Sequence, residues 1–191
     1  TLNITNGRIS TVKNIAIDNS SSTEVSISGG IIESEIATVI KNNSTGTINI
    51  LGGTINGCIT GTNPVMWNSN ANGTYNISGG TITANQSTAM YVVNGKINVS
   101  GEAKITSKKF YGIYNTNSGQ VNISGGTIIG AQEGTSSAIW NNNNGGKIKI
   151  TGGNISSKTA NAVKNNAGGT VEISGDTTNI SSENNDAIDN S

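Results

Sequence analysis

Val25-Ser26-Ile27-Ser28-Gly29-Gly30-Ile31-Ile32 decides the fold, because its pattern returns eight times along the chain. The second apolar position of each copy is Ile4, Ile27, Ile50, Ile77, Val99, Ile123, Ile150 and Ile173, at steps of 23, 23, 27, 22, 24, 27 and 23 residues. Two residues earlier the same steps hold for Leu2, Val25, Ile48, Tyr75, Ile97, Val121, Ile148 and Val171. After the glycines comes a third apolar column: Ile9, Ile32, Ile55, Ile82, Ile105, Ile128, Ile155 and Ile180. A period of this size marks a solenoid, a propeller or an array. Within each copy apolar and polar residues alternate with period 2, and the apolar ones are mostly β-branched, which reads as strand. Glycine turns interrupt too often for a helix. A third short strand ends each copy, as in Ala16-Ile17-Asp18-Asn19 and Val39-Ile40-Lys41-Asn42. Three strands in about 23 residues describe one coil of a parallel β-helix, whereas a propeller blade needs about 40 residues. The chain is expected to be all-β: a single solenoid over residues 1–191, with eight coils of three strands.

Composition excludes several function classes. Lys and Arg together number 11, as do Asp and Glu, so the net charge is zero, and only 12% of residues are charged. Nucleic acid is not expected as a partner, since neutralising phosphates takes clustered cations and Arg8 is the only arginine. With no histidine and one cysteine, the usual zinc sites, internal disulfides and His-activated nucleophiles are ruled out. No cofactor is expected. No apolar run approaches the ~18 residues of a membrane span. The first residues already lie inside the repeat and neither end reads as a capping helix, so further coils or caps are expected outside this stretch.

The columns resemble right-handed parallel β-helix repeats of the pectate-lyase-like kind. Ser78-Gly79-Gly80-Thr81-Ile82 is similar to repeats in large adhesin-like surface proteins of bacteria and archaea. That resemblance spans the chain, and it implies an extracellular or cell-surface location.

Two columns have structural readings. Gly29, Gly52, Gly79, Gly101, Gly125, Gly152 and Gly175 lead the turn between the first two strands, with Asn6 in their place in the first coil. Glycine, then asparagine, best tolerates φ > 0, so this position is expected to be left-handed. Asn19, Asn42, Asn68, Asn115, Asn141, Asn165 and Asn190 end the third strand, two residues past an inward apolar position, with Val92 as the exception. They should point inward and bond to one another and to the turn backbone, as an asparagine ladder. The resembled class often carries such ladders.

Departures from the pattern are where function is sought. The outward position before that asparagine reads Asp18, Lys41, Trp67, Tyr91, Tyr114, Trp140, Lys164, Asp189. Four of the chain's seven aromatics thus fall in one outward column of four consecutive coils, a row of about 14 Å at about 4.8 Å per coil. Between the third apolar column and the asparagine there are ten residues in six coils but thirteen in coils 3 and 6. The two enlarged loops, 57–64 and 130–137, are expected to wall a shallow cradle over Tyr91 and Tyr114. Three readings stay open. Trp67, Tyr91, Tyr114 and Trp140 form a platform for a glycan, an anchor for a host or cell-surface protein, or simply a stack that stabilises the coils. Lys108-Lys109-Phe110-Tyr111 reads as a solvated turn, and Cys58 as a bystander thiol. Glu183, Asp186 and Asp189 lack calcium-loop spacing, so no metal is expected.

Catalysis is not expected, because glycoside hydrolysis needs two carboxylates about 5 to 9.5 Å apart across a cleft and the acids here are scattered. The acidic and arginine motifs of the resembled enzymes are absent. Ice binding is disfavoured, since Lys104 and Asn154 interrupt the column of Thr54, Thr81 and Thr127. The expected function is that of a non-enzymatic adhesin-like solenoid, projecting from the cell and binding glycan or protein through its aromatic strip. The alternative is a spacer without ligand.

Overall fold

The computed structural model describes residues 1–57, 59–142, 145–166 and 168–191. Every strand pair is parallel, and each strand of coils 2 to 7 lies between its counterparts in the coils before and after. In coil 2 the strands are Val25–Ile27, Ile31–Ser34 and Ile40–Asn42. Ile27 is in register with Ile50, Ile32 with Ile55, and Ile40 with Met66. The third strands stack into an eight-stranded sheet running from Ile17–Asn19 to Ile188–Asn190. The first and second strands form a 14-stranded sheet, joined because coils 6 and 7 run through the corner as Gln120–Ile129 and Lys147–Ser157. The three expected strands per coil therefore become two in those coils. The corner there is a pair of register shifts around Ser124 rather than a break. The result is a parallel β-solenoid of about eight turns, without helix among the described residues.

The apolar columns meet inside as one narrow core. Ile27, Ile50, Ile77, Val99, Ile123 and Ile150 are at most 1% exposed. Their counterpart in the last coil, Ile173, is 40% exposed, and in the first coil Leu2 of the neighbouring column is 46% exposed while Ile4 stays buried. Stacking thus supplies the burial that a lone coil cannot. Tyr75 occupies an Ile position of the first column and is fully buried. Its hydroxyl donates to the carbonyls of Ile40 (3.1 Å) and Trp67 (3.3 Å). Burial, with Asp18 adding to it, pushes its pKa well above the ordinary tyrosine value.

The turn glycines need a correction. In the double-glycine coils the left-handed residue is the second one: Gly30, Gly53, Gly80, Gly126 and Gly153, with φ between 78° and 98°. Gly29, Gly52, Gly79, Gly125 and Gly152 do not hold positive φ. Their requirement is steric. A Cβ on Gly29 would lie 2.3 Å from the carbonyl oxygen of Thr5, and one on Gly79 would lie 2.3 Å from that of Leu51. The corner of one coil rests on the backbone of the coil before it. In the first coil Asn6 stands in the place of the leading glycine, and Gly7 takes the positive φ there. Where no second glycine follows, as at Gly101 and Gly175, the one glycine has both the positive φ and the close contact.

The asparagine ladder lies inside. Asn42, Asn68, Asn115 and Asn141 are fully buried, Asn19 and Asn165 nearly so, and Asn190 is exposed in the last coil. Each buried Nδ2 donates to a carbonyl in the following turn, for example Asn42 to Gly46 and Asn115 to Gly119, both at 2.9 Å. The same nitrogens reach the next coil: Asn19 to Asn42 (3.1 Å), Asn115 to Asn141 (2.9 Å), Asn141 to Asn165 (2.9 Å) and Asn165 to Asn190 (2.8 Å). The ladder is interrupted twice: Asn68 Oδ1 is buried without a donor from Asn42, and Val92 parts Asn68 from Asn115. Below it Asn68 Nδ2 turns to the carbonyl of Lys96 (3.2 Å), and above it Asn115 Oδ1 is buried without a hydrogen-bond donor.

A second ladder runs outside. Asn122 donates to Asn98 (2.9 Å), Asn98 to Asn76 (2.8 Å) and Asn76 to Asn49 (2.9 Å). Its bonds point toward the first coil, whereas the inner ladder points toward the last.

Candidate functional site

The third strand positions the candidate site. In each coil its first and third residues face inward, so the middle one faces out. Parallel register then places Trp67 beside Tyr91, Tyr91 beside Tyr114, and Tyr114 beside Trp140. The four expected residues do come together in one row, all of them half-buried. Cys58 lies outside the described residues.

The rings stack face to face along the solenoid axis. Trp67 and Tyr91 have centroids 5.9 Å apart and planes 29° apart; for Tyr91 and Tyr114 the values are 5.2 Å and 8°. Tyr114 and Trp140 follow at 5.0 Å and 28°. A fifth ring joins them. Tyr111 stacks on Tyr114 at 5.0 Å and lies 5.0 Å from Trp140 with its plane tilted by 39°. This residue belongs to the segment expected to be a solvated turn; Lys108 and Phe110 are exposed there, whereas Tyr111 joins the stack. The Tyr111 pKa is raised chiefly by burial, with the neighbouring Tyr114 adding to it and a hydrogen bond with Ser136 opposing.

Each end of the stack meets a lysine in register, Lys41 next to Trp67 and Lys164 next to Trp140. The two behave differently. The Lys41 ammonium sits over the Trp67 ring, 4.7 Å from its centroid. The Lys164 ammonium instead pairs with Asp189 at 3.2 Å. Indole nitrogens differ as well: Trp140 Nε1 donates to Asn166 Oδ1 (3.2 Å), while Trp67 Nε1 is buried without an acceptor. A polar file flanks the far end, with Asn142 donating to the Tyr114 hydroxyl at 2.6 Å and Asn166 to Asn142 at 2.5 Å.

The enlarged loops do not build the expected cradle. In the coil-3 loop, Asn63 Nδ2 donates to the Ile36 carbonyl (3.1 Å) and the Thr60 amide to that of Glu35 (3.3 Å). Both contacts are with coil 2, on the side away from Tyr91. There Ile59 helps line a cleft of about 470 Å³ with Arg8, Glu33 and Glu35. The coil-6 loop bridges coils 5 and 7. Amides of Gln132 and Glu133 donate to the Lys108 carbonyl (2.8 and 3.1 Å), and the Thr159 hydroxyl reaches the carbonyls of Ala131 and Gly134. This loop touches the stack through the hydrogen bond between Ser136 and Tyr111.

Charged groups are few and mostly local. Arg8 pairs with Glu33 across coils 1 and 2. Among the described residues there is no group of three or more acidic, cysteine or histidine side chains that could hold a metal ion.

No protein-family model matches the chain, and no curated protein or solved structure matches it.

Proposed function

We propose that this chain is a non-enzymatic solenoid spacer at a cell surface or outside the cell, of the kind found in the adhesin-like proteins its repeats resemble. A solenoid gains length without bulk, and eight coils at about 4.8 Å each separate its ends by about 34 Å. The observation that carries this reading is the orientation of the aromatic row. Tyr91 lies between Trp67 and Tyr114, and Tyr114 between Tyr91 and Trp140, so these rings spend their faces on one another. A row of sugars stacking on ring faces would find those faces covered. Edges and hydroxyl groups are what the row offers outward, which favours a protein partner as the second reading and disfavours a glycan lying along it. Two of the acids are tied up in ion pairs, Glu33 with Arg8 and Asp189 with Lys164.

The test combines Tyr91→Ala and Tyr114→Ala in one protein. We expect a lower unfolding temperature, an intact β-sheet circular dichroism spectrum, and unchanged binding to an immobilised glycan panel. A glycan bound by the parent and lost in the folded double variant overturns the spacer reading.

A further inference from the structure

We infer a binding site for a single neutral sugar unit in the cleft between the coil-6 loop and coils 7 and 8. The inference goes beyond the spacer reading, which needs no ligand. Thr135 and Ser137 of the enlarged loop form one wall of this cleft of about 330 Å³, and Asn161 and Lys164 of coil 7 and Asn185, Asp186 and Asp189 of coil 8 form the rest. Its size falls within the range of about 300 to 1,000 Å³ common for small-ligand sites.

Three features point to a neutral polyol. The first is the kind of group present. Two hydroxyls and two primary amides can each donate and accept, which suits sugar hydroxyls that do both. The second is charge. Lys164 and Asp189 neutralise each other at 3.2 Å, leaving Asp186 as the one uncompensated charge of the lining. That carboxylate repels phosphate and sulfate. The third is rigidity. Ser137 and Asn161 are at most 8% exposed, and the Asn161 carbonyl accepts the Ala138 amide at 3.2 Å. The wall that carries Thr135 is tied down by the bonds of Thr159 to Ala131 and Gly134. A preorganised polar floor lowers the ordering cost of binding.

Position adds to this. Trp140, Lys164 and Asp189 occupy one outward column in consecutive coils, so the cleft begins one coil beyond the last ring of the aromatic stack. Lys41 caps the other end of the stack, but Lys164 is drawn away from Trp140 toward Asp189. The coil-6 insertion, which the repeat itself does not require, therefore encloses polar space beside the stack.

The experiment is an NMR titration of the full chain with maltotriose, cellotriose and chitotriose, with calcium and inorganic phosphate as separate controls. At least one sugar is expected to shift amide resonances of residues 135–137, 161 and 185–189. Asn185→Ala and Asp186→Ala, both at exposed positions, should each weaken that binding about tenfold without changing the unfolding temperature. Tyr91→Ala should leave it unchanged, which separates this site from the aromatic row. Three outcomes overturn the inference: no shift with any of the sugars, equal binding by the variants, or shifts at these resonances with calcium or phosphate but not with sugars.

Discussion

Asn68, Asn115 and Asn141 stand one residue past Trp67, Tyr114 and Trp140 on the same three strands, so the solenoid carries two ladders back to back. One faces the core and the other faces solvent. Inside, each amide is bonded upward, downward or to its own turn, and the column tolerates almost nothing but asparagine. Outside, the column changes from aspartate to lysine to aromatic and back again, and neighbouring coils adapt. The difference follows from solvation. A buried polar group without a partner loses its water and gains nothing, whereas an outward ring that loses a neighbour meets water. Val92 links the two ladders. It breaks the inner one in coil 4, on the strand where Tyr91 continues the outer one.

The comparison breaks most readily from inside. Asn141→Ala removes the bonds from Asn115 and to Asn165, along with the donor to the Gly146 carbonyl. A cost of about 3 kcal/mol is expected, since several buried groups lose partners at once. Urea unfolding should show a lower midpoint with an unchanged slope. From outside, Tyr114→Ala removes the ring with the most neighbours: Tyr91, Tyr111 and Trp140. Because all four rings are half-buried, the expected loss is smaller, about 2 kcal/mol. If Tyr114→Ala proves more costly than Asn141→Ala, the ranking of the two ladders is wrong.

Val92 offers a way to sharpen the contrast. Val92→Asn would place an amide between Asn68 Nδ2 and the donor-less Oδ1 of Asn115. Two hydrogen bonds at about 1 kcal/mol each offset the lost apolar burial, so stability should stay within about 1 kcal/mol of the parent. Val92→Ala leaves the gap open and creates a cavity, for an expected loss of about 2 kcal/mol. Equal destabilisation by both would mean that the break is not a gap in hydrogen bonding.

How much of this was legible depended on whether a residue's reason repeated. The three apolar columns recur at every coil and the inner asparagines at seven of the eight, for one physical cause each, and their period made coil count, strand direction and inward facing readable. The glycine doublet misled because two demands, positive φ at Gly30 and close approach at Gly29, call for the same residue. Asn6 looked like a left-handed substitute, yet the positive φ of that corner belongs to Gly7. Tyr111 was missed because it precedes the periodic strand rather than lying in its column. Its signal was an aromatic three residues before Tyr114, in the same coil. Loop length was visible in coils 3 and 6, but not direction, since that rests on contacts such as Asn63 to Ile36 that follow no repeat.

The smallest expected effect lies at the ends of the outer stack, and it tests whether the two lysines differ as their partners do. Lys41→Met keeps a stem of similar length and removes the ammonium 4.7 Å from the Trp67 centroid. A cation over a partly solvated ring contributes about 0.5 kcal/mol. Lys164→Met removes an ion pair whose side chains are 36% and 25% exposed, and such pairs contribute about 0 to 1 kcal/mol, weakening as salt rises. Lys41 acts on a quadrupole at short range and Lys164 on a full charge. The loss from Lys164→Met should therefore shrink more between low and high salt than the loss from Lys41→Met. Tryptophan fluorescence should respond as well: Lys41→Met changes the surroundings of Trp67 directly, while Lys164→Met removes an ammonium already committed to Asp189. Identical salt dependence and identical spectral change in both variants would mean that the two ends of the stack are capped alike.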